Sequence, residues 1–117
     1  MSSPNLIFKI TPKTDWEAAL DSGVYEGAPI DLQDGFIHFS SAEQVAETAA
    51  KHFANKTDLL LVAVDAGMLG ADLKWEVSRG GALFPHLYSN LSLDSVEWSR
   101  PMPLSDQGLH IVPLDPA

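Results

Sequence analysis

Two segments of the chain carry side chains that could do chemistry, and each contains a histidine. The first is GFIHFSS, residues 35–41, where His38 and Ser40 precede a predicted helix. Because side chains alternate along a strand, Phe36, His38 and Ser40 lie on one side of it. Histidine transfers protons near neutral pH, and the N–H groups at a helix start favour a phosphate or carboxylate. We predict that His38 and Ser40 face a cleft. The alternative is a buried, hydrogen-bonded histidine beside an ordinary helix cap.

The second segment is WEVSRGGALFPHLY, residues 75–88. Glu76 is followed by Arg79, two glycines free the backbone for close approach, and His86 and Tyr88 alternate onto one side of an extended chain. A carboxylate, a guanidinium, an imidazole and a phenol are the usual components of a polar pocket. The alternative is a glycine-rich hairpin with solvated polar groups.

A metal centre has less support from the spacing of the histidines. His38, His52, His86 and His110 are far apart, and the chain has neither an HExxH motif nor cysteine. His52 falls in the last turn of a predicted helix, where the dipole favours a cation, and His110 is predicted to be structural. We expect no bound metal, although a two-histidine site from His38 and His86 stays open as an alternative.

Composition and charge narrow the class of protein. The 117 residues suffice for one core, so we treat residues 1–117 as a single domain. The absence of cysteine excludes disulfides and thiolate catalysis and suits a reducing compartment. A net charge of −9 repels nucleic acid and anionic lipid, so we expect neither as a partner, while a small-molecule ligand remains compatible with a locally positive pocket. The acidity also has the simpler explanation of aiding solubility.

No targeting or membrane segment is recognisable in the sequence. The start, MSSPNLIFKI, lacks a basic stretch followed by a long apolar one, and the longest apolar run is LLLVAV, residues 59–64. We therefore expect a cytoplasmic protein.

The elements that position the two segments follow from hydrophobic periodicity. The predicted strands are residues 5–11, 36–39, 59–65, 73–79 and 95–104, with the third central and the last at a sheet edge. Capping-box sequences that start at Thr14 and Ser41 predict helices that reach about Gly23 and Ala54. Residues 24–35 are predicted to be a long connection of functional or mobile type. Two early helices and several late strands indicate an α+β fold with a bent, mostly antiparallel sheet and two main helices.

The motifs resemble those of a known family. The stretches IFKIT, DGFIHFSSAEQVAETA and LKWE.SRGGALFPHLY..L.LDSV are similar to the small bacterial proteins called domain of unknown function 952. The resemblance extends from about Ile7 to Pro103 and implies a cytoplasmic bacterial protein without an established activity.

That family in turn is similar to the ADP-ribosyltransferase and RNA 2'-phosphotransferase fold, a split, bent sheet that holds NAD in a cleft. The resemblance implies a ligand-contacting step at Lys9–Thr11, with lysine in place of histidine, and a His-x-Ser step at His38–Ser40. It also places His86 near the expected glutamate, with Glu76 on an earlier strand. Because an imidazole stabilises an oxocarbenium ion poorly, this departure argues against ADP-ribosyl transfer itself and leaves the pocket.

Three hypotheses follow, in order of preference. In the first, a cleft binds or acts on a nucleotide-like or phosphorylated small molecule, with an NAD-like nucleotide as one candidate cofactor. His38 and His86, with Glu76, are the candidate catalytic groups, and the candidate binding residues are Thr11, Ser40, Arg79 and Tyr88. The second is a non-catalytic interaction domain with the same fold and an unidentified protein partner. The third is a metal-dependent enzyme.

Overall fold

The structure is a computed structural model that describes residues 5–77, 81–105 and 110. The strands are β1 (Leu6–Pro12), β2 (Val24–Tyr25), β3 (Ile37–His38), β4 (Leu59–Asp65), β5 (Leu73–Val77), β6 (Leu83–Leu87), β7 (Leu91–Ser92) and β8 (Val96–Pro101). The α-helices in these ranges are α1 (Lys13–Ser22), α2 (Pro29–Asp34) and α3 (Ala42–His52). Short 3-10 turns cover Ala66–Met68, Gly70–Asp72 and Leu93–Ser95. The fold is α+β, and the strand pairings described are antiparallel.

The first sheet has the order β1-β4-β8, which confirms that residues 59–65 form a central strand and that the last strand lies at an edge. Its β4 strand is buried on both faces, because alternate side chains enter two separate apolar clusters. Val62 and Val64 join a cluster with Trp16, whereas Leu61 and Ala63 join one with residues of α3. The apolar run in the sequence therefore serves two cores.

The second sheet has the order β3-β6-β5, and a separate short sheet pairs β2 with β7. The two larger sheets meet where Phe8 of β1 forms an isolated bridge with Ser40, each residue donating its N–H to the other's carbonyl at 2.8 Å. The sheet is thus divided, and its two parts are connected beside the start of α3.

Residues 24–35 differ from the long connection predicted for them, because they contain β2 and α2. Pro29 occupies the first position of α2, where its fixed φ suits the helix and its missing N–H is not needed. The Asp31 side chain accepts a hydrogen bond from the Ala28 N–H at 2.8 Å. Gly35 ends the helix with a φ of 88° and donates its N–H to the Asp31 carbonyl. Proline and glycine mark the two ends of this short helix.

Both longer helices predicted from the sequence are present, and the start of one differs from the prediction. Helix α3 begins after Ser41, whose N–H donates to the Gln44 side chain at 2.9 Å, as its capping-box sequence predicts. Helix α1 instead begins at Lys13, so Thr14 lies inside its first turn and the predicted cap there is wrong. No helix in the described ranges is long and apolar enough to cross a membrane.

Candidate functional site

The antiparallel pairing of β3 with β6 places His38 directly opposite His86. Their imidazole rings are 5.5 Å apart, centroid to centroid, in an edge-to-face arrangement. Phe36 packs against both, with its ring centroid 4.6 Å from that of His38 and 4.2 Å from that of His86. The pairing therefore brings together two imidazoles from segments nearly fifty positions apart in the chain, as expected from the sequence.

The orientation of His38 is set by Asp31. One carboxylate oxygen, Oδ1, lies 2.6 Å from His38 Nδ1 and accepts the His38 backbone N–H at 3.1 Å. A carboxylate at Nδ1 favours a ring that carries a proton on that nitrogen. Asp31 thus acts on His38 as a positioning residue.

Asp31 is fully enclosed and is paired with a buried cation. Its Oδ2 lies 2.7 Å from Lys9 Nζ, and both side chains are at most 5% exposed. Burial raises the pKa of Asp31, but the hydrogen bond from His38 and the attraction and hydrogen bond of Lys9 outweigh it and lower that pKa to about 2. Burial conversely lowers the pKa of Lys9, against the attraction of Asp31. Asp31 therefore stays ionised and holds the His38 Nδ1 proton.

The second nitrogen of His38 also faces a carboxylate. His38 Nε2 lies 3.1 Å from Oδ2 of Asp34, the last residue of α2. Since carboxylates only accept hydrogen bonds, both contacts of the ring exist together only when both of its nitrogens carry protons. Asp34 is more accessible than Asp31, with 39% of its side chain exposed.

His86 has a carboxylate of its own. Its Nδ1 lies 2.9 Å from Glu76 Oε1, which also accepts the Tyr88 hydroxyl at 2.7 Å. The hydrogen bond from Tyr88, followed by that from His86, lowers the pKa of Glu76, and the pKa of Tyr88 is raised in turn. In His86, Nδ1 is therefore occupied by a carboxylate and Nε2 is the nitrogen left for a ligand, whereas in His38 Asp34 also faces Nε2.

A cavity of about 490 Å³ opens beside the two imidazoles. Its lining is Phe8, Lys9, Ile10, Ile30, Asp34, His38, Phe39, Ser40, Thr48, His52, Phe53, Lys56, Phe84 and His86. Aromatic and aliphatic side chains form much of this wall, while the lysines and histidines give it basic character. Among these described lining residues, Asp34 contributes the carboxylate. The lining therefore contains more basic side chains than acidic ones, and Lys9, His38 and His86 are each paired with a carboxylate of the protein.

This arrangement can bind an anion and move protons. Imidazole side chains serve as general acids and bases, and two of them side by side allow one ring to donate a proton while the other accepts one. The apolar wall suits an aromatic or aliphatic portion of a ligand. Within the described ranges, no group of three or more histidine, aspartate and glutamate side chains could hold a metal ion.

Comparison with known proteins identifies the family. A family model described as "Protein of unknown function (DUF952)" matches residues 10–99. The chain belongs to this family. A crystal structure of protein CC0527 from Caulobacter crescentus, a structural genomics target, is 49% identical, with 91% of this chain and 93% of that chain covered and a TM-score of 0.87. The solution NMR structure of CC0527 is 50% identical, with 90% of each chain covered and a TM-score of 0.81. A comparison with curated proteins finds no match.

The other candidate residues of this DUF952 chain divide between the cavity and other places. Ser40 lines the cavity and is buried, with its hydroxyl 3.2 Å from that of Thr48. Thr11 is instead fully buried in the core, where it accepts a hydrogen bond from the Tyr25 hydroxyl at 2.8 Å. Arg79 lies outside the described residues.

Sequence reasoning on this DUF952 chain missed the carboxylates that serve His38. Asp31 and Asp34 lay in a segment read as a loop, so no helical spacing connected them to the histidine. Lys9 offered the clearest signal, because a lysine on the inner face of an apolar strand needs a buried anion as its partner. Phe36 was a second signal, because side-chain alternation places it on the same strand face as His38, where it packs against the imidazoles.

Proposed function

We propose that the cavity binds a nucleotide-like or otherwise phosphorylated small molecule and that His38 and His86 transfer protons to and from it. The observation that carries this proposal is the pairing of the two imidazoles at the cavity, 5.5 Å apart, each with its Nδ1 on a carboxylate. Because both histidines line the same cavity, one ligand can contact both imidazoles, with Asp34 displaced from Nε2 of His38.

The charge of the cavity supports an anionic ligand. Lys56 and His52 lie in the lining with the two imidazoles, whereas the chain as a whole carries a net charge of −9. A basic cavity in an acidic surface attracts a small anion without attracting a nucleic-acid strand, whose many phosphates meet the whole surface. The proposed partner is therefore a small molecule.

The shape of the lining supports a ligand with an aromatic or apolar portion. Of the phenylalanines in the lining, Phe53 and Phe84 are partly exposed and offer ring surfaces of the kind on which a nucleobase packs, whereas Phe8 and Phe39 are buried. A phosphate at the imidazoles and a base against these rings would together occupy the cavity. An NAD-like nucleotide combines both groups.

The divided sheet supports a distant relation to ADP-ribosyltransferase-like domains as part of the proposal. Ser40, which ends the His-x-Ser step, bridges to β1 next to Lys9 and leads into α3. The resemblance puts His86, on β6, near the position where a transferring enzyme would need a carboxylate, so the proposed chemistry is acid–base and not ADP-ribosyl transfer. The proposed setting is the bacterial cytoplasm that the family resemblance implies.

Thermal unfolding and calorimetric titration test this proposal with adenosine 5'-monophosphate, ADP-ribose and NAD. Adenosine serves as the matched ligand without phosphate. At a ligand concentration of 100 times Kd, mass action adds about 2.7 kcal/mol to the free energy of unfolding, which raises Tm by roughly 10 °C in a domain of this size. The phosphorylated ligands are expected to stabilise the protein, and adenosine much less.

Two substitutions assign the effect to the imidazoles. His38→Asn and His86→Asn each keep a donor near the Nδ1 position and remove Nε2, so Asp31 and Glu76 keep a hydrogen-bond donor, while Asp34 loses its contact in His38→Asn. Each variant should fold and lose about tenfold or more in phosphate affinity, since a hydrogen bond to a charged group contributes about 1.5–3 kcal/mol. No stabilisation by any phosphorylated ligand at millimolar concentration, or full affinity in both variants, would refute the proposal.

A second candidate function, a non-catalytic interaction domain, is favoured by an exposed apolar face. Trp75 and Val77 on β5 and Leu83 on β6 are 44%, 70% and 50% exposed, and β5 is the edge strand of its sheet. An open edge with apolar side chains is a surface on which a partner strand can add. Light scattering and pull-down with the protein and with Trp75→Ser test it. A partner lost in the variant supports it, and a monomer without partners contradicts it.

A further inference from the structure

The carboxylate of Asp34 stands at the nitrogen of His38 that a ligand needs. Its Oδ2 is 3.1 Å from Nε2, while Asp31 covers Nδ1. Asp34 also lines the cavity. In this structure, the nitrogen of His38 that a ligand would contact is therefore in contact with a carboxylate of the protein itself.

Asp34 differs from Asp31 in how firmly it is held. Asp31 is buried and contacts Lys9, Ala28 and His38, whereas 39% of the Asp34 side chain is exposed. Within the described ranges, the polar contact of the Asp34 side chain is the one that its carboxylate makes with His38 Nε2. Asp34 also ends α2, where the helix dipole disfavours a negative charge. It can be displaced without disturbing the buried pair.

We propose that Asp34 determines the ligand class of this cavity by occupying the position of the ligand's anionic group, so that a phosphomonoester must displace it to bind. This inference rests on the proposed function. A ligand carboxylate would exchange one carboxylate for another at His38 and gain little. A phosphomonoester brings a charge of about −1.5 to −2 and three acceptor oxygens, which suit two adjacent imidazoles. A neutral ligand brings no negative charge to replace that of Asp34 beside His38.

Calorimetric titration with phenyl phosphate, benzoate and phenol tests the inference. These probes share an aromatic ring and differ in the charge and geometry of the attached group. The wild-type protein should bind phenyl phosphate more tightly than benzoate. Since the contact of Asp34 is that of an accessible ion pair, Asp34→Asn should tighten phenyl phosphate binding by about threefold to fivefold and leave phenol unchanged.

Asp21→Asn is the matched control. Asp21 is exposed in the last turn of α1, so this substitution removes the same charge from the end of a helix whose residues do not line the cavity. It should change phenyl phosphate affinity by less than about twofold.

The outcomes separate this inference from the proposed function. Phenyl phosphate that binds wild type but binds Asp34→Asn equally or more weakly overturns the role of Asp34 and leaves the proposed function standing. An equal gain in Asp21→Asn also overturns it, because the effect would then be one of net charge. If phenyl phosphate binds neither wild type nor Asp34→Asn, both proposals fall. A gain in Asp34→Asn alone supports the inference.

Discussion

Removal of the Asp31 carboxylate should leave Lys9 as a buried charge without a partner. The two groups are 2.7 Å apart, and their side chains are 5% and 0% exposed, so water has little access to either one. Breaking a buried ion pair by removing one member destabilises a protein by about 3–5 kcal/mol, because the remaining charge stays desolvated. Asp31→Asn keeps the shape and one acceptor oxygen, and its loss in free energy of unfolding should fall in that range.

A double-mutant cycle measured by urea unfolding isolates the pair. Lys9→Met keeps the length of the side chain and removes its charge. The double variant Lys9→Met, Asp31→Asn should lose about 1–3 kcal/mol less than the sum of the two single losses, since neither charge is then left alone.

The exposed pair of Glu47 and Lys51 in α3 provides the control cycle. Its atoms lie 3.3 Å apart, but the side chains are 70% and 59% exposed, so their coupling should be below about 0.5 kcal/mol. If the coupling of Lys9 with Asp31 is as small as this, the buried pair does not organise the site and the reasoning is refuted.

Three further predictions concern the supports of the site. The folded-state pKa of Asp31 is about 2, against an ordinary value of 3.8, so its contribution of about 2–3 kcal/mol to the free energy of unfolding is present above pH 3.8 and is lost as the pH falls through 2. Urea unfolding across that pH range should show the loss in the wild-type protein. An equal loss in Asp31→Asn would contradict this prediction. Tyr25→Phe removes a buried hydrogen bond to Thr11 and should lower the free energy of unfolding by about 1 kcal/mol in urea, whereas unchanged stability would show that this bond contributes nothing. Gly27→Ala should lower Tm more than Gly23→Ala, although both glycines have positive φ. A Cβ at Gly27 would lie 2.7 Å from the Asp31 Cβ, whereas a Cβ at Gly23 would have nothing within 4 Å. Equal losses in Tm would contradict the close packing of Gly27 against α2.

Local sequence patterns predicted the elements that depend on one stretch of chain. The apolar run of residues 59–65 indicates a buried strand, and the capping sequence at Ser41 indicates the start of a helix. Both elements are present as predicted. Helix α2 was missed because six residues bounded by Pro29 and Gly35 show too little periodicity to be recognised as a helix.

The candidate site was predictable in its histidines and not in their partners. Side-chain alternation placed His38 on one side of its strand, and the same reasoning placed His86. The contacts of Asp31 with Lys9 and His38 join different elements of the fold, so no residue spacing within one element predicts them. Thr11 was assigned to the site through resemblance, whereas the structure places it against Tyr25 in the core.

A crystal structure of the protein with adenosine 5'-monophosphate at saturating concentration tests the central claim most directly. The phosphate is expected between the two imidazoles, with an oxygen within about 3 Å of Nε2 of both His38 and His86, and with Asp34 turned away. The base should pack on the phenylalanine side chains of the cavity. A phosphate bound away from both imidazoles, or a cavity without nucleotide while Asp34 remains on His38, would contradict the account.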